Sequence, residues 1–458
     1  MGSTFISAIH KSSGKTIISI GLTAAFADKG LSVQTFKKGP DYIDPMWLSR
    51  ASNRKCRNLD FHFMTNQEIR SEFTQFGLAQ DLSIIEGNKG LHDGLDLKGT
   101  DCNASLAKLI KSPVILVLDT RGITRGVAPM IQGQINFDKD VNIVGVILNF
   151  VGGQRHEKKL TRAIEYYTDT PVLGSIPKTN ELIISERHLG LIPSNETKTA
   201  NQIIKKIKKV VEKNVDLEKV LKIANTAHSL VPSKITKPKA MKLKKPVRIA
   251  VALDDVFGFY YPNDFLALEI AGAELKFFNT ITDSELPPVD GLFIGGGFPE
   301  TNIHRLTQNT TLRQHILYLL NDGLPAYAEC GGLMYLSKSI TWKGNTSEMV
   351  GFVPGESVMN EKPVGRGYAK LRETPDCPWP EKSRPSQEIP THEFHYATIK
   401  NLPSNTVFAY DVLRGYGVNG EKDGIVLKNL LAGFTHHFST PRHNWANRFV
   451  EFIRDQKV

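Results

Sequence analysis

Over the first half of the chain, apolar positions cluster in short runs. "TFISAI", "SVQTFKK", "LSIIEG", "PVILVLDT", "NIVGVILNFV" and "PVLGSIP" are β-branched and apolar almost throughout. That is the pattern of strands buried on both faces of a parallel sheet, and helical stretches separate them. From about Ala200 to Ala227 apolar residues recur at helical spacing with lysines in the gaps, which predicts helix. "VPSKITKPKAMKLKKP" follows with prolines and no periodicity, and predicts a linker. After Pro246 strand and helix patterns resume in turn, with "VRIAVALD", "AELKFFN", "GLFIGGG" and "LPAYAEC". No internal repeat is visible. The expected organisation is therefore two α/β domains. One covers residues 1–240, with a basic helix and linker from about 198, and the other covers 246–458.

Composition agrees with that picture. At 458 residues, with 40% hydrophobic and 23% charged positions, the chain has the make-up of a soluble globular protein with more than one core. No apolar stretch approaches the roughly 18 to 20 residues that cross a bilayer. The amino terminus leads directly into a strand pattern, unlike a signal peptide. Cys56, Cys102, Cys330 and Cys377 are spaced for neither a disulfide framework nor a zinc site. The expected location is the cytoplasm.

Charge changes the picture only locally. The formal net charge is +10, yet Lys198 to Lys245 holds 14 lysines against three acids, a local net of +11. The remainder is close to −1, so the basic character belongs to a solvated helix and linker. Neither nucleic acid nor a membrane is an expected partner.

Two constellations carry chemistry. "AIHKSSGKT" (Ala8 to Thr16) lies between a predicted strand and a predicted helix, where backbone N–H groups and a helix N-terminus face an anion. Ser13 and Gly14 belong to this nucleotide loop. Lys15 would reach the β- and γ-phosphates, and the Thr16 hydroxyl would bind Mg²⁺. The full phosphate-loop signature wants a glycine where this chain has Ile9. "KKGPDYIDP" after the second strand offers Asp41 and Asp44, and "IIEGNKGLHDG" after the third offers Glu86 and Asp93. Carboxylates at neighbouring strand ends converge on the crevice where open α/β sheets bind ligands, and there they can hold Mg²⁺ or orient an acceptor.

In the second half, "AYAECGG" ends a strand at Cys330 and "GLFIGGGFPE" ends another in three glycines. Glycine beside a nucleophile permits the sharp strand-to-helix turn that exposes it. N–H groups at the helix start can stabilise an oxyanion, and the Gly295–Gly297 loop could supply a second donor. "LLAGFTHHFST" supplies a distant base, with His436 and His437 both open as candidates. A thiol with a distant imidazole is what acyl transfer through cysteine requires.

Together these stretches resemble the cobyrinic acid a,c-diamide synthase family, the ATP-dependent, glutamine-hydrolysing amidotransferases of tetrapyrrole carboxylates. "GPDYIDP", "EGNKGLHDG", "ERHLGLIPSNE", "FYYPNDFLALEIAGAEL", "GGGFPE" and "AECGGLMYL" occur in the family's order, and the resemblance covers nearly the whole chain. It implies a first half like the dethiobiotin-synthetase-like ATPases, using ATP to make an acyl phosphate. Lys15 and Thr16 would bind ATP and Mg²⁺, Asp41 and Glu86 would be metal ligands, and Asp44 and Asp93 would position the substrate carboxylate or steer the intermediate. It implies a second half with the class I glutaminase fold, in which Cys330 attacks glutamine and His436 is its base. Many glutaminases carry a glutamate two residues after that histidine, whereas this chain has Phe438. The implied partners are glutamine and a tetrapyrrole: cobyrinic acid by default, with sirohaem and nickel-sirohydrochlorin as alternatives. Arg187, His188, Arg366 and Tyr368 are candidate contacts for its acidic groups. A homodimer is the assembly left open. The first half also resembles partition-type ATPases that bind DNA or membranes, which would have no use for "GGGFPE" or "AECGG".

Overall fold

The computed structural model describes residues 2–179, 182, 184, 186–187, 190–228, 230, 245–381 and 387–456, with backbone alone at 186, 187 and 190. Most of the expected linker, and His188, lie outside these. The chain divides into two compact units, Met1–Thr236 and Lys237–Val458.

The first unit is built on a seven-stranded sheet. Its strands are β1 (Gly2–Ala8), β2 (Val33–Lys38), β3 (Arg57–Leu59), β4 (Leu82–Glu86), β5 (Val114–Asp119), β6 (Ile143–Val151) and β7 (Val172–Pro177). They lie in the order β3-β2-β4-β1-β5-β6-β7, every pairing parallel. The unbroken apolar runs follow from helices covering both faces. All seven residues of β1 are buried, and β2 and β4 are buried throughout. β3 has no such run, because "RNL" is only three residues and carries polar side chains; periodicity does not reveal it.

Two helices position the first unit's chemistry: α1 (Lys15–Asp28) directly after β1, and α2 (Ile43–Ser52) after β2. α1 is buried on most sides. The lysine-rich segment forms two helices, Ala200–Asn214 and Leu217–Ala224, with Asp216 capping the second through Lys219 N–H (3.0 Å). The first packs its stripe of Ile204, Ile207 and Val211 into the same core as α1. It is basic on its outer face and structural on its inner one.

After a short ribbon (β8, Glu186–Arg187; β9, Gly190–Leu191), the second unit begins. Its strands are β10 (Val247–Ala252), β11 (Phe257–Phe259), β12 (Ala273–Phe278), β13 (Gly291–Ile294), β14 (Gly296–Gly297), β15 (Ala326–Glu329), β16 (Ser337–Trp342), β17 (Asn345–Glu348), β18 (Val353–Met359), β19 (Gly365–Glu373), β20 (Glu388–His395), β21 (Ala397–Lys400), β22 (Val407–Arg414), β23 (Lys422–Leu427) and β24 (Leu430–Gly433). Nine form one sheet in the order β12-β10-β13-β15-β24-β23-β22-β19-β20. The first five are parallel and the last four antiparallel. A separate sheet runs β17-β16-β18-β21. This corrects the expectation of strand and helix in simple turn: between residues 337 and 433 the unit is mostly β. The reason lies in exposure. β20 alternates strictly between partly exposed and buried positions, the period of a half-buried antiparallel strand rather than an apolar run.

Candidate functional sites

At the carboxyl ends of β1, β2, β4 and β6 lies a cavity of about 560 Å³, lined by Lys15, Thr16, Lys37, Asp41, Asp44 and Glu86 among others. The loop from β1 turns into α1 through Gly14, whose φ of 93° is left-handed. A side chain there would also meet Asn149 Nδ2 at 2.1 Å, and Asn149 donates to the Ser13 carbonyl at 2.9 Å. Only glycine fits both demands. The Ser13 hydroxyl donates to the His10 carbonyl (2.9 Å) and fixes the preceding turn.

Behind the loop sits a charged cage. Thr16 Oγ1 donates to Glu86 Oε1 (2.8 Å), with Asp44 Oδ2 at 3.3 Å. The Lys37 ammonium lies 2.6 Å from Asp44 Oδ2, 2.7 Å from Glu86 Oε1 and 3.7 Å from Asp41 Oδ2. Burial works against charge on Lys37, but Asp44 and Glu86 outweigh it and raise its pKa well above the usual range. Burial likewise disfavours a charged Asp44, yet Lys37 holds it below the ordinary carboxylate value. Glu86 is raised by burial, and Asp41 is pushed up to about 7 by burial and by Asp44. Lys15 is lowered to about 8 by burial and by Lys37.

Glu86 Oε2 is buried and accepts no hydrogen bond. Among the described residues, no three His, Cys, Asp or Glu side chains are grouped to enclose a metal by themselves. A Mg²⁺ that keeps phosphate and water ligands needs only one or two protein oxygens, so these observations fit together. Asp93 stands apart from this group: it does not line the cavity, and its Oδ2 accepts from Gly90 N–H at 2.8 Å, closing its own turn.

The second constellation centres on Cys330. It directly follows β15 and caps the helix Gly331–Leu336 with φ 49° and ψ −102°, a strained conformation for a residue with a side chain. The thiol is nearly buried, at 7% exposure. His436 follows β24, the strand beside β15, and hydrogen-bonds the Cys330 side chain on one side. On the other, its Nδ1 lies 3.0 Å from Glu329 Oε2. Burial disfavours the imidazolium, but the bonds to Cys330 and Glu329 outweigh it and raise His436 to about 10. Gly296 makes room for the ring, since a Cβ there would lie 2.7 Å from His436 Cε1.

The other Glu329 oxygen, Oε1, accepts from Tyr327 OH (2.6 Å) and from His437 N–H (3.1 Å). The His437 ring serves a different network. Its Nδ1 pairs with His443 Nε2 at 2.7 Å, and burial and His443 push its pKa well down. The geometry thus sets His436, not His437, against the thiol. In the glycine loop, Gly295 N–H donates to Tyr260 OH (2.9 Å), and Gly296–Gly297 lie alongside β11. Gly295 is therefore not a spare donor. Arg366 is exposed on β19, over Phe394, and Tyr368 is half-buried on the same strand. His188 and the Arg187 side chain fall outside the described residues.

Sequence reading missed three members of these clusters. Lys37 and Asn149 carry no motif of their own, although Lys37 opens the quoted "KKGPDYIDP". Glu329 was in plain sight beside the nucleophile, but strand alternation alone gives it no partner.

Two family descriptions match the chain. A CobQ/CobB/MinD/ParA nucleotide binding domain covers residues 5–192, and a CobB/CobQ-like glutamine amidotransferase domain covers 248–443. Curated relatives span nearly the full length. The cobyrinate a,c-diamide synthase of Magnetococcus marinus is 44% identical over 99% of this chain and 97% of its own. Those of Methanosarcina acetivorans and Archaeoglobus fulgidus are 39% and 40% identical, each over 97% of this chain and over 94% and 96% of their own.

Proposed function

The chain belongs to the cobyrinate a,c-diamide synthase family of glutamine-dependent amide-forming ligases, and from that premise we propose that its own substrate is cobyrinic acid. On this reading the a and c acetate carboxylates become amides, at the cost of ATP and glutamine. The observation that carries it is the Cys330–His436 pair on a strained turn, in the same chain as a nucleotide-binding domain.

A carboxylate resists ammonia until one oxygen becomes a leaving group, which phosphorylation achieves. Gly14 and Ser13 shape the loop that receives the phosphates, and Lys15 reaches the terminal ones. Lys15 and Lys37 oppose charge on the transferring phosphoryl. Thr16, Glu86 and Asp41 would hold Mg²⁺, whose contribution when bound is to neutralise phosphate charge. Supporting that set, the Thr16 hydrogen points at carboxylates and leaves its lone pairs available, and Glu86 Oε2 has no hydrogen-bond donor. Asp44, held ionised by Lys37, is the group we assign to orienting the substrate carboxylate; Asp93 we assign to shaping the loop around it.

In the second unit Cys330 attacks the glutamine amide. His436, having taken the thiol proton, returns it to the departing ammonia. The opening N–H groups of the helix Gly331–Leu336 face the oxyanion. Water then hydrolyses the thioester left on Cys330, releasing glutamate and the free thiol, while the ammonia adds to the acyl phosphate and expels phosphate to leave the amide. We place the enzyme in the cytoplasm, supported by four free cysteines. No helix among the described residues is long and apolar enough to cross a membrane. Neither nucleic acid nor membrane is needed as a partner, and a homodimer remains compatible with this reading.

The test is incubation with ATP, glutamine and, separately, cobyrinic acid, sirohaem, sirohydrochlorin and its nickel complex, with product masses measured. Amidation of cobyrinic acid at two positions is expected, each lowering the mass by the difference between OH and NH₂. Turnover of sirohaem or nickel-sirohydrochlorin alone would overturn the substrate assignment and keep the chemistry.

A further inference from the structure

We infer that Glu329, the residue immediately before the nucleophile, is the positioning residue that orients the His436 imidazole toward Cys330. The inference rests on the reading of Cys330 and His436 as nucleophile and base.

The position two residues after His436 cannot serve. Phe438 is buried there with its ring edge-on to Tyr261, centroids 4.8 Å apart. Glu329 reaches the imidazole from the opposite direction in the chain. Tyr327 and Glu329 are two apart on β15, so they share a face of the strand. Tyr327 packs among Phe293, Trp379 and Trp445, which fixes its hydroxyl in place. That hydroxyl and the His437 N–H both bind Oε1. With one oxygen anchored twice, Oε2 is left facing His436 Nδ1 at 3.0 Å. A carboxylate there requires a hydrogen on Nδ1, which turns the other ring nitrogen toward the thiol.

The other ionisable groups around the pair do not replace it. Asp264 is raised well above the carboxylate range by burial and by Glu329, and is bound by Ser439 N–H and Trp445 Nε1. His437 is held neutral by burial and His443. His392 stacks beside His436, ring centroids 6.2 Å apart, and brings no negative charge. Tyr260 and Tyr327 are raised by burial and stay neutral.

Replacing Glu329 by Gln keeps an acceptor for Tyr327 and His437 but presents an N–H₂ to Nδ1, which selects the wrong imidazole tautomer. For Glu329→Gln in the full chain, kcat for glutamine hydrolysis is expected to fall about 10²- to 10⁴-fold, with KM changed less than about threefold. The pH inflection for alkylation of Cys330 by iodoacetamide, with Cys330→Ala as the blank, is expected to move upward. Amidation driven by added ammonia should persist. Glutamine hydrolysis within about threefold of wild type, or a loss of kcat with the alkylation inflection unmoved, overturns the inference and assigns Glu329 a purely structural role. Should Glu329→Gln fail to fold, Glu329→Asp is read instead, since it keeps the charge on a shorter arm. An inflection near wild type with reduced kcat is then expected, and one as high as that of His436→Gln overturns the inference. Glutamine hydrolysis retained by Cys330→Ala would remove the underlying reading of the nucleophile.

Discussion

Two titratable side chains decide the chemistry at the residue scale. Lys15, lowered to about 8 by burial and Lys37, is partly unprotonated near that pH without nucleotide. Reductive methylation at about pH 8 should therefore modify Lys15 ahead of ordinary surface lysines, and ATP should protect it; mass mapping reads both. No preference for Lys15 would contradict its placement beside Lys37. His436 has the opposite sign. Its folded value, about 10, lies above the roughly 6.5 of an unfolded histidine. Its contribution to stability is then complete below about 6.5 and disappears as pH rises through about 10. The difference in unfolding free energy between wild type and His436→Gln should narrow across that window, measurable by denaturant titration at several pH values. Lys37→Met leaves Asp44 and Glu86 without their buried cation, and should cost about 3–5 kcal/mol of stability. Of these residues, Lys15, Asp44, Glu86, Cys330 and His436 were legible in sequence because each ends or follows a recognisable strand. Glu329 was not, because His436 comes from an element far along the chain and only the fold brings the two within 3.0 Å. Lys37 was not, because its distant partner Glu86 lies on another strand and its nearer ones, Asp41 and Asp44, read as loop and turn residues.

At the element scale the parallel sheets were legible because strands buried on both faces leave unbroken apolar runs. The antiparallel half of the second unit was not, since its strands alternate and are punctuated by polar positions. The lysine-rich helix shows how composition can mislead about role. Its charge marks a solvated face, while Ile207 is fully buried against the core shared with α1. Ile207→Ala should destabilise the first unit by about 2–4 kcal/mol, seen as a lowered melting temperature; a change within experimental error would make the helix a mere connector. Gly14→Ala should abolish ATP-dependent turnover, because both the left-handed turn and the Asn149 contact forbid a side chain.

At the scale of the whole molecule, the proposed function divides labour between two units, one activating a carboxylate and the other liberating nitrogen. Cys330→Ala should lose glutamine-driven amidation and keep amidation driven by ammonia, whereas Lys15→Ala should lose both. The proposed chemistry calls on none of the basic charge of Lys198–Lys245. Salt-sensitive DNA binding that survives Cys330→Ala would restore the partition-type alternative. The most direct measurement supplies glutamine labelled with ¹⁵N in its amide, together with ATP and cobyrinic acid, and follows the mass of the product. Labelled amides are expected from the wild type, unlabelled amides from Cys330→Ala given ordinary ammonia, and none from either without ATP. Labelled product from Cys330→Ala, or amides formed in the absence of ATP, would contradict that division of labour.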